Sequence, residues 1–151
     1  MRLTRYTDYA LRVLLHLGAD EARLCSIAEM ARAHRISQNH LMKVVNDLGR
    51  AGLVASVRGR RGGIRLARPA REINVGAVVR LTERDFDMAD CATCVIAPVC
   101  GLRGALARAA AAFLATLDGF TLADLLQERG AMAALLAAPH DGAAEPGELA
   151  A

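Results

Sequence analysis

Cys91, Cys94 and Cys100 fall within ten residues, spaced Cys-x2-Cys-x5-Cys. Thiolates are soft ligands, and three on one short loop suit zinc or an iron–sulfur cluster. Pro98 stiffens the loop. Cys100 precedes a helix start, where the helix dipole favours a negatively charged ligand. A zinc knuckle usually carries its fourth ligand close by, yet no Cys or His follows Cys100 within the next 39 residues. The fourth ligand is then Cys25, a His, an Asp or an exogenous small molecule. The residues alone leave three readings open: a labile iron–sulfur cluster, a structural zinc site, or a redox thiol pair or inert cysteines. Cys25, just before Ser26, reads as a small buried hydrophobe. His16, His34, His40 and His140 show no metal-binding spacing, and none is assigned as a ligand. No triad, P-loop or paired-carboxylate site is present, so the chain does not read as an enzyme.

The elements around the cysteines differ in charge. Residues 1–72 hold 14 Lys/Arg against 6 Asp/Glu, and residues 73–151 hold 5 against 10. A basic half beside an acidic half suggests a polyanion-binding face, with nucleic acid as the partner. The chain is 54% hydrophobic but only 3% aromatic, with no Trp. Its core must therefore be built from Leu, Val, Ile, Met and Ala, which favours helices. No leader with an apolar stretch and cleavage site is read at Met1-Arg2-Leu3. No apolar run reaches the ~18 residues a membrane span needs. The expected compartment is the cytoplasm, where a tight cysteine cluster signals metal or redox chemistry rather than a disulfide.

Apolar residues at three- and four-residue spacing predict a first helix over about Leu3–Leu17. On its other face Asp8 lies one turn before Arg12, which by itself reads as a surface ion pair. Ser26 and Glu29 form a capping box opening a short helix to about Ala33. His34-Arg35-Ile36 make a tight turn, Ser37 caps a further helix, and Gly52 ends it. Leu41, Val44, Val45 and Leu48 point inward there. Gln38, Asn39, Met42, Lys43 and Asn46 point outward. This is a helix-turn-helix pattern, in which Gln and Asn can pair with adenine edges and Lys with guanine or phosphate. Val54–Val57 and Ile64–Leu66 then predict a β-hairpin around Arg58-Gly59-Arg60-Arg61-Gly62-Gly63. Helix-turn-helix plus basic hairpin is a winged helix. Its arginines can neutralise phosphates or enter a narrow minor groove.

The expected fold class is mainly α: a winged helix-turn-helix DNA-binding domain with a β-hairpin wing and a long C-terminal dimerisation helix. Residues 1–72 form the DNA-binding domain. Residues 73–128 carry a helix capped by Asn74, the cysteine loop over 85–100 and the dimerisation helix from Leu102 to about Leu117. That helix has a Leu/Phe edge and alanines that permit close approach. A short helix follows over Thr121–Gln127. Residues 129–151 form a tail, with one possible last turn over Met132–Ala138 and disorder from Pro139.

Four segments carry a resemblance: Met1–Arg12, Ser37–Val45, Gly59–Leu66 and the three-cysteine loop. They resemble a family of bacterial iron–sulfur winged-helix repressors, in the same order, over about residues 1–128. The resemblance implies a homodimer whose long helices cross, and a cluster held by Cys91, Cys94 and Cys100. In the family's nitric-oxide-sensing members an aspartate of the first helix, from the other subunit, can complete the cluster, and Asp8 matches it. Members that regulate cluster assembly use a histidine just after the cysteines. Residues 101–105 have none, which favours the nitric oxide sensor. The implied function is a repressor that releases nitric-oxide-detoxification genes. It binds a two-fold-symmetric operator through Ser37, Gln38, Asn39, His40, Lys43, Arg58, Arg60 and Arg61. The two-residue gap between Cys91 and Cys94 is shorter than the family's usual spacing, so four-iron and two-iron clusters both stay open. The rival readings are an iron- or redox-sensing iron–sulfur repressor and a zinc-stabilised DNA-binding adaptor.

Overall fold

A computed structural model describes residues 2–83 and 85–138. It contains α1 (Arg5–Ala19), α2 (Ile27–His34), α3 (Gln38–Arg50), β1 (Val54–Val57), β2 (Gly63–Leu66), α4 (Val75–Thr82), α5 (Leu102–Asp118) and α6 (Arg129–Ala137). Short 3-10 turns lie at Ala70–Glu72 and Ala123–Leu126. The architecture is the expected one, mainly helical with, among the described residues, a single two-stranded hairpin.

Local chemistry explains most boundaries. Thr4 caps α1 by accepting the Thr7 N–H, Ser26 caps α2 through the Glu29 N–H, and Asn74 caps α4 through the Ala77 N–H. Such caps satisfy amides that have no partner inside the helix. Arg35 ends α2 in the left-handed region at φ 54°, and its turn leads to the buried Ile36. Ser37 departs from expectation. It stands at the N-cap of α3 but its side chain makes no capping bond. The first turn is instead closed by the backbone, Leu41 N–H to the Ser37 carbonyl at 3.1 Å.

The core lies where α1, α2, α3 and the hairpin meet. Leu14, Met30, Leu41, Val44 and Leu48 are essentially fully buried there. β1 and β2 pair antiparallel, Val54 opposite Leu66 and Val57 opposite Gly63. Cys25 adds a further, isolated rung to β2, exchanging both backbone bonds with Ile64 at 3.0 and 2.9 Å. Gly63 permits this approach, because a Cβ there would sit 2.9 Å from the Cys25 carbonyl oxygen.

The C-terminal part folds back onto α1 and the N-terminal core. Leu122 and Leu126 join the core beside Gly18 of α1. The stretch over 129–137, expected to be tail with one possible last turn, is the helix α6. It packs on α1 through the half-buried Met132 and is tied by Arg129 to Glu21 at 2.9 Å. The disorder expected from Pro139 onward falls outside the described residues. Among the described residues no helix is long and apolar enough to cross a membrane.

Candidate cluster loop and nucleic-acid interface

The three loop cysteines stand between α4 and α5. Cys91 and Cys100 are half-buried, Cys94 is exposed, and none is in a disulfide. Asp90 organises the first of them: its carboxylate accepts the Ala92 N–H at 3.1 Å and the Thr93 hydroxyl at 3.0 Å. At the other end the Leu102 N–H donates to the Cys100 Sγ at 3.4 Å. That amide belongs to the first turn of α5, so the positive end of the helix faces this sulfur. Cys91 lines a cleft of about 780 Å³ between the loop and α5, with Phe86, Met88, Arg103 and Leu106. Three accessible thiols on one loop, one at a helix N-terminus and one on a roomy cleft, have the donor chemistry of a thiolate-bound metal group, but in the single chain their sulfurs do not converge on one point as the ligand atoms of His16, Cys25 and Glu29 do.

Asp8 is placed differently. Within one chain its carboxylate pairs with Arg12 at 3.0 Å, and both side chains are nearly half exposed. This is the surface ion pair that the spacing alone predicts. The cluster role that the resemblance implies for it belongs to an assembly of two chains.

The residues expected to read DNA are all exposed. Ser37, Gln38, Asn39, His40 and Lys43 are exposed at the N-terminal end of α3. Arg58, Arg60 and Arg61 are exposed in the hairpin turn. Gly59, at φ 121°, makes that turn possible, and its carbonyl accepts the Gly62 N–H at 2.9 Å. α1 braces α3. The Tyr6 hydroxyl donates to Asp47 of α3 at 2.6 Å, and the Tyr9 ring lies 6.3 Å from the His40 ring. Burial and the Asp47 carboxylate push the Tyr6 pKa up to about 12.

The expectation for Cys25 was incomplete. It is buried, but its Sγ lies 3.3 Å from His16 Nε2, and Glu29 stands beside both. The spacings His16-x8-Cys25 and Cys25-x3-Glu29 match no familiar ligand pattern. Only the strand rung that carries Cys25 between two helices brings the three residues together.

Comparison with known proteins follows the same lines. The sequence matches the Rrf2 family, described as "Iron-dependent Transcriptional regulator", over residues 3–128. It is 51% identical over 142 residues to the HTH-type transcriptional regulator NsrR of Geobacillus kaustophilus, covering 90% of this chain and 97% of that one. The NsrR of Bacillus subtilis is 49% identical over 135 residues, covering 85% and 92%. Among solved structures, T. potens IscR superposes with a TM-score of 0.70 at 27% identity, over 85% of this chain and 88% of that one.

Proposed function

The chain belongs to the Rrf2 family of transcriptional regulators, and we propose that it is a repressor that senses nitric oxide through a labile iron–sulfur cluster and thereby releases nitric-oxide-detoxification genes. It is a DNA-binding regulator and not an enzyme. The observation that carries the proposal is the set of three thiols on one loop at the N-terminus of α5. Cys91, Cys94 and Cys100 would hold the cluster, with Asp8 of the partner subunit as fourth ligand in a homodimer. When bound, the cluster supplies iron that reacts with nitric oxide. Asp8 is the weak member of the donor set, a hard carboxylate among soft thiolates.

The chain's own part is to carry a change at Asp8 to the reading head. An Asp8 engaged as a ligand gives up Arg12, and a released Asp8 regains it at the 3.0 Å seen in one chain. Tyr6 and Tyr9 flank Asp8 in sequence, and both touch α3, through Asp47 and His40. A reorientation of the first turns of α1 is therefore transmitted to α3. There Gln38, Asn39 and Lys43 face base edges in the major groove, while Ser37 and His40 lie beside the backbone. Arg58, Arg60 and Arg61 supply phosphate or minor-groove contacts on a two-fold-symmetric operator.

The test is an anaerobic absorbance spectrum with iron and sulfide analysis, before and after nitric oxide, followed by operator binding on the same samples. The expected result is iron and sulfide on each chain, bleaching by nitric oxide, and loss of operator affinity. Zinc on the loop cysteines without sulfide would sink the proposal in favour of the zinc-stabilised adaptor. Asp8→Ala should alter cluster uptake and the nitric oxide response, and an unchanged variant removes the cross-subunit ligand. A second reading, an iron- or redox-sensing repressor, is favoured by the iron dependence in the family's description. It predicts release of DNA by chelator or oxygen at levels where nitric oxide has little effect.

A further inference from the structure

Away from the cysteine loop, a second set of soft and hard ligands converges inside the reading domain. His16 comes from the last turn of α1, Cys25 from the strand rung, and Glu29 from the first turn of α2. One ligand atom of each lies within 4.8 Å of those of the other two. We propose that His16, Cys25 and Glu29 form a binding site for a divalent, zinc-class metal ion, separate from the loop cysteines.

The distances suit such an ion. Zn–S of about 2.3 Å and Zn–N of about 2.0–2.1 Å at a tetrahedral angle place the two donor atoms about 3.5 Å apart. The Cys25 Sγ and His16 Nε2 are 3.3 Å apart already. The second nitrogen of His16 is held too, with Nδ1 3.1 Å from His34 Nε2. In the tautomer where Nδ1 donates to His34, the lone pair of Nε2 points toward the sulfur. A metal-bound histidine is ordinarily fixed by a hydrogen bond from its other ring nitrogen. Burial lowers the pKa of His16, which favours the neutral ring a ligand needs, and pushes the Cys25 thiol up to about 12, so a metal must displace its proton. Glu29 is charged: burial raises its pKa, but hydrogen bonds from Arg23 and Cys25 outweigh it and bring the net value down.

The fourth position is open on one side. The three residues line a cleft of about 280 Å³ whose far wall is Ala133, Leu136 and Ala137 of α6. Three protein ligands with the fourth position facing a cleft describe an accessible zinc site rather than a closed structural one. Metal entry replaces the thiol proton of Cys25, which leaves to solvent, and takes Glu29 from Arg23, now 2.6 Å away. The ion would tie α1, the rung beside the wing and α2 together at one point.

The test uses the full chain with Cys91, Cys94 and Cys100 changed to Ser, leaving Cys25 as the only cysteine, and titrates it with cobalt(II). The expected result is one cobalt per chain with a thiolate-to-cobalt charge-transfer band. Cys25→Ser should abolish the band. His16→Gln and Glu29→Gln should each weaken cobalt binding by at least about tenfold, in line with losses seen on disturbing metal sites. Absence of the band in the folded chain, judged by its circular dichroism, overturns the proposal. So does a band whose affinity neither His16→Gln nor Glu29→Gln changes. If the serine background does not fold, zinc content is measured on the otherwise unmodified, cluster-loaded chain. One zinc per chain that Cys25→Ser removes supports the site, and its absence after zinc loading rejects it. The cobalt arm does not depend on what the loop cysteines bind, and the zinc arm reads only the zinc that Cys25→Ser removes, so this site and the iron–sulfur reading stand or fall separately.

Discussion

Tyr6 joins α1 to α3, the helix expected to read DNA. Its hydroxyl reaches Asp47 at 2.6 Å from a half-buried position. A hydrogen bond to a charged acceptor is worth about 1.5–3 kcal/mol when buried, and less where solvent competes. Tyr6→Phe removes this bond with little change of shape. It should destabilise the fold by about 1 kcal/mol in urea unfolding and weaken operator binding without altering cluster content. A variant with wild-type stability and affinity would show that α1 does not position α3. The apolar spacing that predicts α1 reports which face is buried and not which polar atom on it finds a partner, so it could not show this bond. The same blindness applies to Glu29. Ser26 and Glu29 read as a reciprocal capping box, and the Ser26 half is present. The Glu29 carboxylate, however, is taken by Arg23 and stands against Cys25. Distant partners decide such side chains, and spacing along the chain cannot show them.

At the scale of elements, α4 and α5 are held together at one end of the cysteine loop's frame. Arg80 of α4 binds Asp118 of α5 through two bonds, at 2.5 and 2.7 Å. Asn74 Nδ2 donates to the Asp118 carbonyl oxygen at 2.7 Å. Gly76 lets the helices come this close, since a Cβ there would meet the Asp118 side chain and lie 2.9 Å from its backbone nitrogen. The hydrogen bonds from Arg80 hold the Asp118 carboxyl below its ordinary 3.8. A carboxylate with a depressed folded pKa contributes stability that is present above the unfolded value and is lost as pH falls through the folded one. Wild-type stability should therefore decline below about pH 4, and Arg80→Gln should flatten that decline. Denaturant titrations at pH 3 and pH 6 on both chains measure it, and equal slopes would remove the clasp's role. The boundaries of these elements were largely legible. Ser26 and Asn74 announce their helices because a cap is a local event. The clasp, the return of Leu122 and Leu126 to the core, and the docking of α6 were not legible, because each depends on contacts far apart in the chain. Residues 129–137 looked like tail for the same reason. Their alanines and leucines give no strong periodic face, and only packing against α1 gives them a place.

For the whole molecule, α5 is the element that a single chain leaves incomplete. Its 17 residues span about 26 Å, yet Ala110 is its one buried residue. Leu106, Phe113, Leu114 and Leu117 are half-buried along the side turned to α4. The Leu/Phe edge read from sequence as the dimer seam is thus shared with α4. Beside it runs an exposed row of Leu102, Ala105, Ala109 and Thr116, with Leu102 54% exposed. Small residues in such a row let two helices approach closely, so this row is where a second copy would pack. Ala109 lies seven residues after Leu102 and seven before Thr116, hence on the same stripe. Ala109→Arg places a long charge there. Arg is a good helix former, and Ala109 is exposed in the single chain, so the fold should survive. We expect this variant to sediment as a monomer with unchanged circular dichroism. Its affinity for a two-fold-symmetric operator should fall by about 100-fold or more, because two linked reading heads gain about 10²–10⁴ over one. Binding to a half-site should be much less affected, which separates lost avidity from a damaged reading surface. A dimeric Ala109→Arg chain with wild-type operator affinity would place the seam elsewhere on the molecule. It would also count against the partner-subunit ligand role proposed for Asp8, which rests on a dimer whose α5 helices cross.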